Sequence, residues 1–276
     1  MTNDFIGRIR TALEEGGVLK LAKRGFSRVL NLGIRVYNAL VVFVTGGKKY
    51  SYSSSDSPEL LEVKQRSEKR TDISDHLIPL FIESLEVDPD VIVELGVRGG
   101  ESTFVFERVA RLCGSVLISV DVEDCSDVSS YDRWHFVQMD DVEFVKVFDE
   151  WCTERQIEPN IDVLFVDTSH LYDHTLQEIR HWFPYLSDGS KAFFHDTNLT
   201  NFYLRRDFTI GRGWDNNRGV IRALEDCLDK KFDEKKEFIE FVGGWLIKHD
   251  PYCNGFTELV KIRETSKMRR NFSGDN

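Results

Sequence analysis

The sequence predicts an α/β fold of the doubly wound type, in which a mostly parallel seven-stranded sheet follows an N-terminal helical extension. Three observations predict it. Short apolar runs alternate with helical stretches from residue 91 onwards, the first run ends in a glycine-rich turn, and the second ends in an aspartate. With 276 residues, of which 41% are hydrophobic, the chain can bury one large core plus an appendage.

Five apolar runs are predicted to form the parallel strands. They lie near residues 91–95, 116–121, 135–138, 162–167 and 191–195. Two further strands near 237–242 and 257–262, around a glycine pair, are expected to complete the sheet. Ligands of such sheets bind at the carboxyl ends of the strands, so the residues that follow each run are the candidate site residues.

The first glycine turn follows a run typical of a buried strand, residues 91–93. Gly96, Gly99 and Gly100 allow the backbone to turn tightly beside a ligand, and Ser102 or Thr103 can cap the next helix. The helix N-terminus would then face the ligand. The spacing is not G-x-G-x-x-G, so the dinucleotide fingerprint is absent.

The second apolar run ends at Asp121, 25 positions after Gly96. This spacing is close to that at which a carboxylate meets a ribose, and a carboxylate accepts two hydroxyl hydrogens at once. A solvated strand end is the alternative interpretation.

These features resemble the class I S-adenosylmethionine-dependent methyltransferases, and the likeness covers about residues 75 to 262. Glu94-Leu-Gly-Val-Arg-Gly-Gly corresponds to the first motif, and residues 135–141 resemble the segment whose acid lies by the adenine. The resemblance is strongest to the branch of cephalosporin-hydroxylase-like proteins and sugar O-methyltransferases. It implies an S-adenosylmethionine cofactor held by Glu94, Gly96, Gly99, Gly100, Asp121 and Asp140.

Four polar residues follow the fourth and fifth predicted strands: Asp167, His170, His195 and Asp196. They permit either a general base or a divalent metal that activates a hydroxyl. In related sugar O-methyltransferases three acids at these strand ends hold magnesium, and Asp167 and Asp196 match two of them. His195 stands at the third position. This departure argues against Mg²⁺ and favours a softer metal or no metal.

His170 is predicted to be the catalytic base, together with Asp167, because imidazole titrates near neutral pH. A histidine that caps a loop or helix is the alternative. The glycine-containing segment after Asp196 is predicted to be a substrate lid, with Trp214 stacking on a sugar ring and Asn217 and Arg218 bonding its hydroxyls. An ordinary surface loop would have the same composition.

Charge separates the N-terminal segment from the rest of the chain. Residues 1–50 hold nine Lys or Arg and three acids, so their net charge is +6. Because the whole chain carries −11, the remainder carries −17. Apolar residues recur at helical spacing among the basic ones over residues 16–44, a pattern of helices that lie on an anionic membrane. A helix packed on the catalytic domain or on a partner subunit is the alternative.

We therefore expect four segments. These are a basic amphipathic segment (1–50), a linker with a helix that leads into the domain (51–74), the methyltransferase domain (75–264) and a basic tail (265–276). The expected location is the cytoplasm, with peripheral contact to the inner face of the membrane. Five cysteines without a C-x-x-C pair argue against zinc and disulfide frameworks.

The expected function is methylation of a hydroxyl on a saccharide or glycolipid. The acidic body argues against nucleic acid as a partner. Two alternatives stay open: a noncatalytic nucleotide-binding or membrane-scaffold protein, and an enzyme of the hydroxylase-named branch that acts on a secondary metabolite. The sequence also allows a homo-oligomer.

Overall fold

The structure is a computed structural model that describes residues 26–262. These residues divide into two compact units, one containing residues 26–48 with Asp207–Ile210, the other containing Lys49–Arg206 and residues 211–262. The predicted basic tail, and residues 1–25 of the predicted amphipathic segment, lie outside the described residues.

The first unit is built around helix α1 (Phe26–Thr45). Within this unit the Asn38 side chain donates to the carbonyl of Ile210 and accepts from its N–H, each at 2.8 Å. By length and composition α1 could cross a membrane, with a mean hydropathy of 1.3 and none of its apolar window buried. Signal sequences and core helices share these properties, so membrane contact has to be argued from the charge pattern.

An eight-stranded sheet forms the centre of the second unit, in the order β3-β2-β1-β4-β5-β10-β9-β8. Strands β1 to β5 are parallel, and β10, β9 and β8 each run antiparallel to their neighbour. The bounds are β1 (Val91–Leu95), β2 (Val116–Asp121), β3 (Trp134–Gln138), β4 (Ile161–Val166), β5 (Leu186–His195), β8 (Phe238–Val242), β9 (Trp245–Asp250) and β10 (Phe256–Lys261).

Two hydrophobic cores lie against this sheet. Alternating strand residues feed them, since Val93 belongs to one core and Ile92 to the other. The helices are α2 (Pro58–Ser67), α3 (Leu77–Val87), α4 (Glu101–Cys113), α5 (Asp141–Phe144), α6 (Phe148–Arg155), α7 (Tyr172–Trp182) and α8 (Gly219–Leu228). The predicted doubly wound fold class is confirmed.

The predicted strand number is wrong by one in this sheet, because β9 was missed between the two C-terminal strands. Gly243 and Gly244 have φ of 59° and 93° and close a two-residue hairpin between β8 and β9. A separate two-stranded sheet, β6 (Phe202–Leu204) and β7 (Ile210–Arg212), was also missed. The predicted linker segment, 51–74, belongs to the second unit, where Val63 of α2 is fully buried.

Candidate active site

The order of the sheet reverses between β1 and β4, and the turn after β1 lies there. Gly96 has φ of 91°, and a Cβ at this position would lie 2.2 Å from the carbonyl oxygen of Asp167. The β1 and β4 ends therefore approach so closely that only glycine fits. Helix α4 begins at Glu101 with Gly100 as its N-cap, so the predicted capping by Ser102 or Thr103 is wrong.

Both hydroxyls bind Glu94 instead. This carboxyl group is fully buried and accepts from Ser102 (2.6 Å), Thr103 (2.8 Å) and Ser119 (2.6 Å). Burial raises the pKa of Glu94 to about 7, against the lowering effect of these hydroxyls. Glu94 therefore fastens β1 to α4 and β2, and its predicted contact with the cofactor stays a prediction.

Beside the turn lies a cavity of about 460 Å³. Asp121 in its wall accepts from the N–H groups of Val97 (2.8 Å) and Arg98 (3.0 Å) through Oδ2, and from Glu123 (2.9 Å) through Oδ1. A carboxylate has about four acceptor positions, and the protein uses three of them. The predicted contact of Asp121 with a ribose stays a prediction. The cavity is lined by Gly96, Arg98, Val120, Asp121, Val122, Glu123, Met139, Asp140, Asp141, Asp167, Thr168, Ser169 and His174.

The far wall of the cavity is formed where β3 ends. Asp140 caps α5 by accepting from the N–H groups of Val142 and Glu143 at 3.0 and 3.1 Å. The next residue, Asp141, is buried and lies 2.9 Å from His174 Nε2. The bond to Asp141 raises the pKa of His174 to about 9, so this imidazole is charged at neutral pH.

Four residues that the sequence predicted to meet at the ends of β4 and β5 do so: Asp167, His170, His195 and Asp196. We call them the acid–histidine cluster. His170 Nε2 lies 3.2 Å from Asp196 Oδ2, and its Nδ1 lies 3.8 Å from Asp167 Oδ1. His195 Nδ1 lies 3.2 Å from Asp167 Oδ1 and 3.3 Å from Asp196 Oδ1. Each imidazole thus joins the two acids.

Burial and charge act against each other in this cluster. Burial lowers the pKa of His195, but the charges of Asp196 and Asp167 outweigh it and raise this pKa to about 10. The pKa of Asp167 is lowered because His195 and His170 outweigh its burial. At neutral pH His195 is therefore a cation that compensates the buried acids.

The geometry favours a different metal-binding set from the one predicted. Ligand atoms of Asp167, His170 and Asp196 all lie within 4.8 Å of one another. His195, which was predicted as the third ligand, is 2% exposed and is not part of this set, and its Nδ1 lies against Asp167 and Asp196 at 3.2 and 3.3 Å. Two carboxylates and one imidazole suit a divalent transition metal better than they suit magnesium, which prefers an all-oxygen shell.

The predicted lid segment lies next to this cluster. The Trp214 ring is 45% exposed and its centre lies 6.1 Å from that of His170. Asn217 is exposed at the surface of the same segment. The guanidinium of Arg218 binds Glu234 (2.7 Å) and Glu225 (2.9 Å) and so fastens the start of α8, and its predicted contact with a substrate stays a prediction.

Two further residues belong to the site. Asn216 is buried, and its amide donates to the backbone oxygens of His170 (3.3 Å) and Asp196 (3.4 Å). His76 is fully buried and its ring lies edge-on to that of His195, 5.7 Å between centres. The sequence indicated Asn216 as a hydrogen-bonding residue of the predicted lid, but His76 was missed, because nothing in the sequence connects it with a strand 119 residues further on.

Comparison with known proteins gives one family match. A methyltransferase domain family matches residues 93–197, from β1 to just beyond the acid–histidine cluster. No curated protein matches the chain.

Solved structures with a similar fold include the MycE methyltransferase of the mycinamycin biosynthetic pathway, in complex with Mg, SAH and mycinamycin VI (19% identity, 80% of this chain, TM-score 0.47). This chain spans only 57% of MycE. CalS11, a TDP-rhamnose 3′-O-methyltransferase of calicheamicin biosynthesis, has 19% identity, covers 74% of this chain and 95% of its own, with a TM-score of 0.41. A Corynebacterium glutamicum protein has 13% identity and a TM-score of 0.48, and the match covers 84% of this chain and 99% of that protein.

Proposed function

We propose, from the premise that this chain is a class I S-adenosylmethionine-dependent methyltransferase, that it methylates a hydroxyl group of a saccharide. The family match at residues 93–197 and the sheet order support the premise. The predicted enzyme class is confirmed to that extent. The acceptor, the residues that act on it and any contact with a membrane are the proposal.

One observation carries the proposal: Asp167 belongs both to the cavity wall and to the acid–histidine cluster. A cofactor in the cavity beside Gly96, Asp121 and Asp140 would therefore have its reactive end next to the cluster. Methyl transfer requires little more than this placement and removal of one proton from the acceptor.

The cluster supplies the proton acceptor. As the acceptor oxygen bonds to the methyl carbon, the bond from that carbon to the sulfonium sulfur breaks, S-adenosylhomocysteine leaves, and the hydroxyl proton passes to His170. Asp196, 3.2 Å from this imidazole, stabilises the charged form. His195 holds both acids in place from behind.

A divalent cation fits the same place. Asp167 and Asp196 would hold it, with His170 as a third ligand, since their ligand atoms already lie together. When bound, such an ion lowers the pKa of an acceptor hydroxyl. In that case His170 is a ligand and the proton leaves to solvent.

Trp214 supports a sugar as the acceptor. Its half-exposed ring beside His170 offers an apolar face for one side of a pyranose. Asn217 in the same segment offers an amide to the hydroxyls.

The first experiment is calorimetric titration with S-adenosylhomocysteine. Wild type should bind in the micromolar range, and Asp121→Asn should bind about tenfold or more weakly because a charged acceptor is lost. Asp124→Asn, an exposed aspartate three residues further on, is the matched control and should bind like wild type. No binding by folded wild type would overturn the cofactor assignment.

Transfer is tested next, with a panel of sugars and glycolipids and with and without Mg²⁺ or Mn²⁺. Labelled methyl should appear in the acceptor with wild type and fall at least 100-fold with His170→Ala. Binding of S-adenosylhomocysteine without transfer to any acceptor, and without loss of biological activity in His170→Ala cells, would favour the noncatalytic alternative.

Membrane contact is the second part of the proposal. At 100° per residue, five exposed apolar residues of α1 form one stripe: Val29, Leu32, Val36, Leu40 and Phe43. Arg28 and Arg35 lie along one border of this stripe and are exposed. A basic border beside an apolar stripe is typical of a helix that lies on an anionic membrane.

Vesicle sedimentation tests this contact. Wild type should bind phosphatidylglycerol vesicles more strongly than phosphatidylcholine vesicles, and the difference should shrink in high salt. Leu40→Glu with Phe43→Glu should abolish binding, whereas Leu112→Glu, an exposed apolar position on α4, should not. Equal binding by wild type and the α1 variant would contradict the proposal.

A further inference from the structure

Strand β8 is an open edge of the sheet and carries two exposed apolar side chains. Ile239 is 71% and Phe241 65% exposed, and they lie on the same face of the strand. Within residues 26–262 no strand pairs with β8 on the side away from β9. The opposite edge differs, because the apolar residues of β3 are half-buried.

The hairpin register determines which backbone groups of β8 are available. Val242 and Trp245 close the two-residue turn, so they form a hydrogen-bonded pair, as do Glu240 with Ile247 and Phe238 with His249. The N–H and C=O groups of the alternate residues, Ile239 and Phe241, therefore point away from β9. The two apolar residues are also the two with unused backbone groups.

The unpaired backbone groups of an open edge can pair with a strand of another chain unless they are protected. Natural sheets protect open edges with proline, a bulge or an outward-facing lysine, and β8 (Phe-Ile-Glu-Phe-Val) has no proline or lysine. Its pairing with β9 is regular over all five residues, without a bulge. Sequence and backbone therefore both favour addition of another strand.

We propose that β8 pairs antiparallel with β8 of a second copy of this chain, so that the two sheets continue into one. The strand is complementary to itself in one register. Ile239 of each copy then faces the partner's Phe241 across the two-fold axis, which makes two β-branched–aromatic pairs on one face. Both residues use the backbone groups that β9 leaves free.

Charge fits the same register. Glu240 lies on the axis opposite its own copy, which by itself would be repulsive. Lys230 Nζ lies 2.6 Å from Glu240 Oε2, so each copy brings one lysine with each glutamate and the axis is neutral. Because each glutamate keeps its own lysine, charge does not oppose self-pairing, and the two Ile239–Phe241 pairs favour a second copy over an unrelated strand.

Sedimentation velocity of the full chain tests the proposal. Wild type should sediment as a dimer at micromolar concentration. Ile239→Lys with Phe241→Lys should give the monomer, because four lysines would meet across the axis. Leu112→Lys, an exposed apolar position on α4, should stay dimeric. A monomeric wild type, or a dimer that survives the double substitution, would overturn the proposal.

A disulfide tests the register. Facing residues on the axis that do not exchange hydrogen bonds have Cα atoms about 4.5 Å apart, within reach of a disulfide. Glu240→Cys should therefore give a covalent dimer under mild oxidation, and Glu237→Cys, which lies off the axis, should not. Wild type, with its five cysteines, controls for other crosslinks. S-Adenosylhomocysteine binding by each variant reports folding independently.

Discussion

Replacing Glu94 by glutamine should remove a pH-dependent loss of stability. The pKa of Glu94 is 4.5 in an unfolded chain and about 7 in the fold. A group whose pKa rises on folding contributes most below its unfolded value, and this contribution is lost as pH rises through the folded value. The shift corresponds to about 3 kcal/mol lost between pH 4.5 and pH 7.5. Glutamine stays neutral and, like the protonated acid, has one carbonyl oxygen that accepts from the hydroxyls and a donor group in place of the other oxygen.

Urea unfolding followed by circular dichroism, at half-unit steps from pH 4.5 to 8, measures this effect. The free energies of unfolding of Glu94→Gln and wild type should differ little at pH 4.5. By pH 8 that of the variant should exceed that of wild type by up to about 3 kcal/mol. Glu154→Gln, an exposed glutamate on α6, should follow wild type at every pH within about 0.5 kcal/mol. A difference between Glu94→Gln and wild type that is constant over this range would refute the reasoning.

Three further predictions concern the site. Gly96→Ala should abolish S-adenosylhomocysteine binding in calorimetry, since its Cβ would lie 2.2 Å from a carbonyl oxygen, whereas Gly33→Ala on α1, with nothing within 4 Å, should bind within threefold of wild type. Asn216→Ala should lower the methyl-transfer rate about 10-fold or more and leave cofactor affinity unchanged, and an equal loss of both would contradict its positioning role. Arg218→Ala should lower the free energy of unfolding by about 1–3 kcal/mol, and a raised acceptor KM at unchanged stability would restore its predicted substrate contact.

Local patterns predicted the parallel half of the sheet. Each of its strands is a short apolar run followed by a polar residue or a glycine, so both the strand and its ligand-facing end could be read from neighbouring residues. β9 was missed although Trp245–Asp250 alternates buried and half-buried residues, because Lys248, His249 and Asp250 interrupt the apolar pattern. Its pairing with β10 and β8 depends on contacts that no local pattern contains.

The sequence predicted which residues meet in the site better than it predicted what each of them does. All four residues of the acid–histidine cluster meet, because parallel strands end at one edge of the sheet. The orientation of each histidine could not be predicted, since it depends on backbone such as that of His170, whose φ of 59° no sequence pattern specifies. Arg218 was predicted to bind substrate because its guanidinium can bond hydroxyls, and its ion pairs with Glu225 and Glu234 depend on contacts that no local pattern contains.

The two hydrogen bonds of Asn216 make one amide a shared anchor for segment 213–218 and for the backbone of both His170 and Asp196. Outward movement of that segment would have to break these bonds and release both strand ends. We therefore expect any movement of this segment that admits an acceptor to shift the backbone of His170 and Asp196 as well.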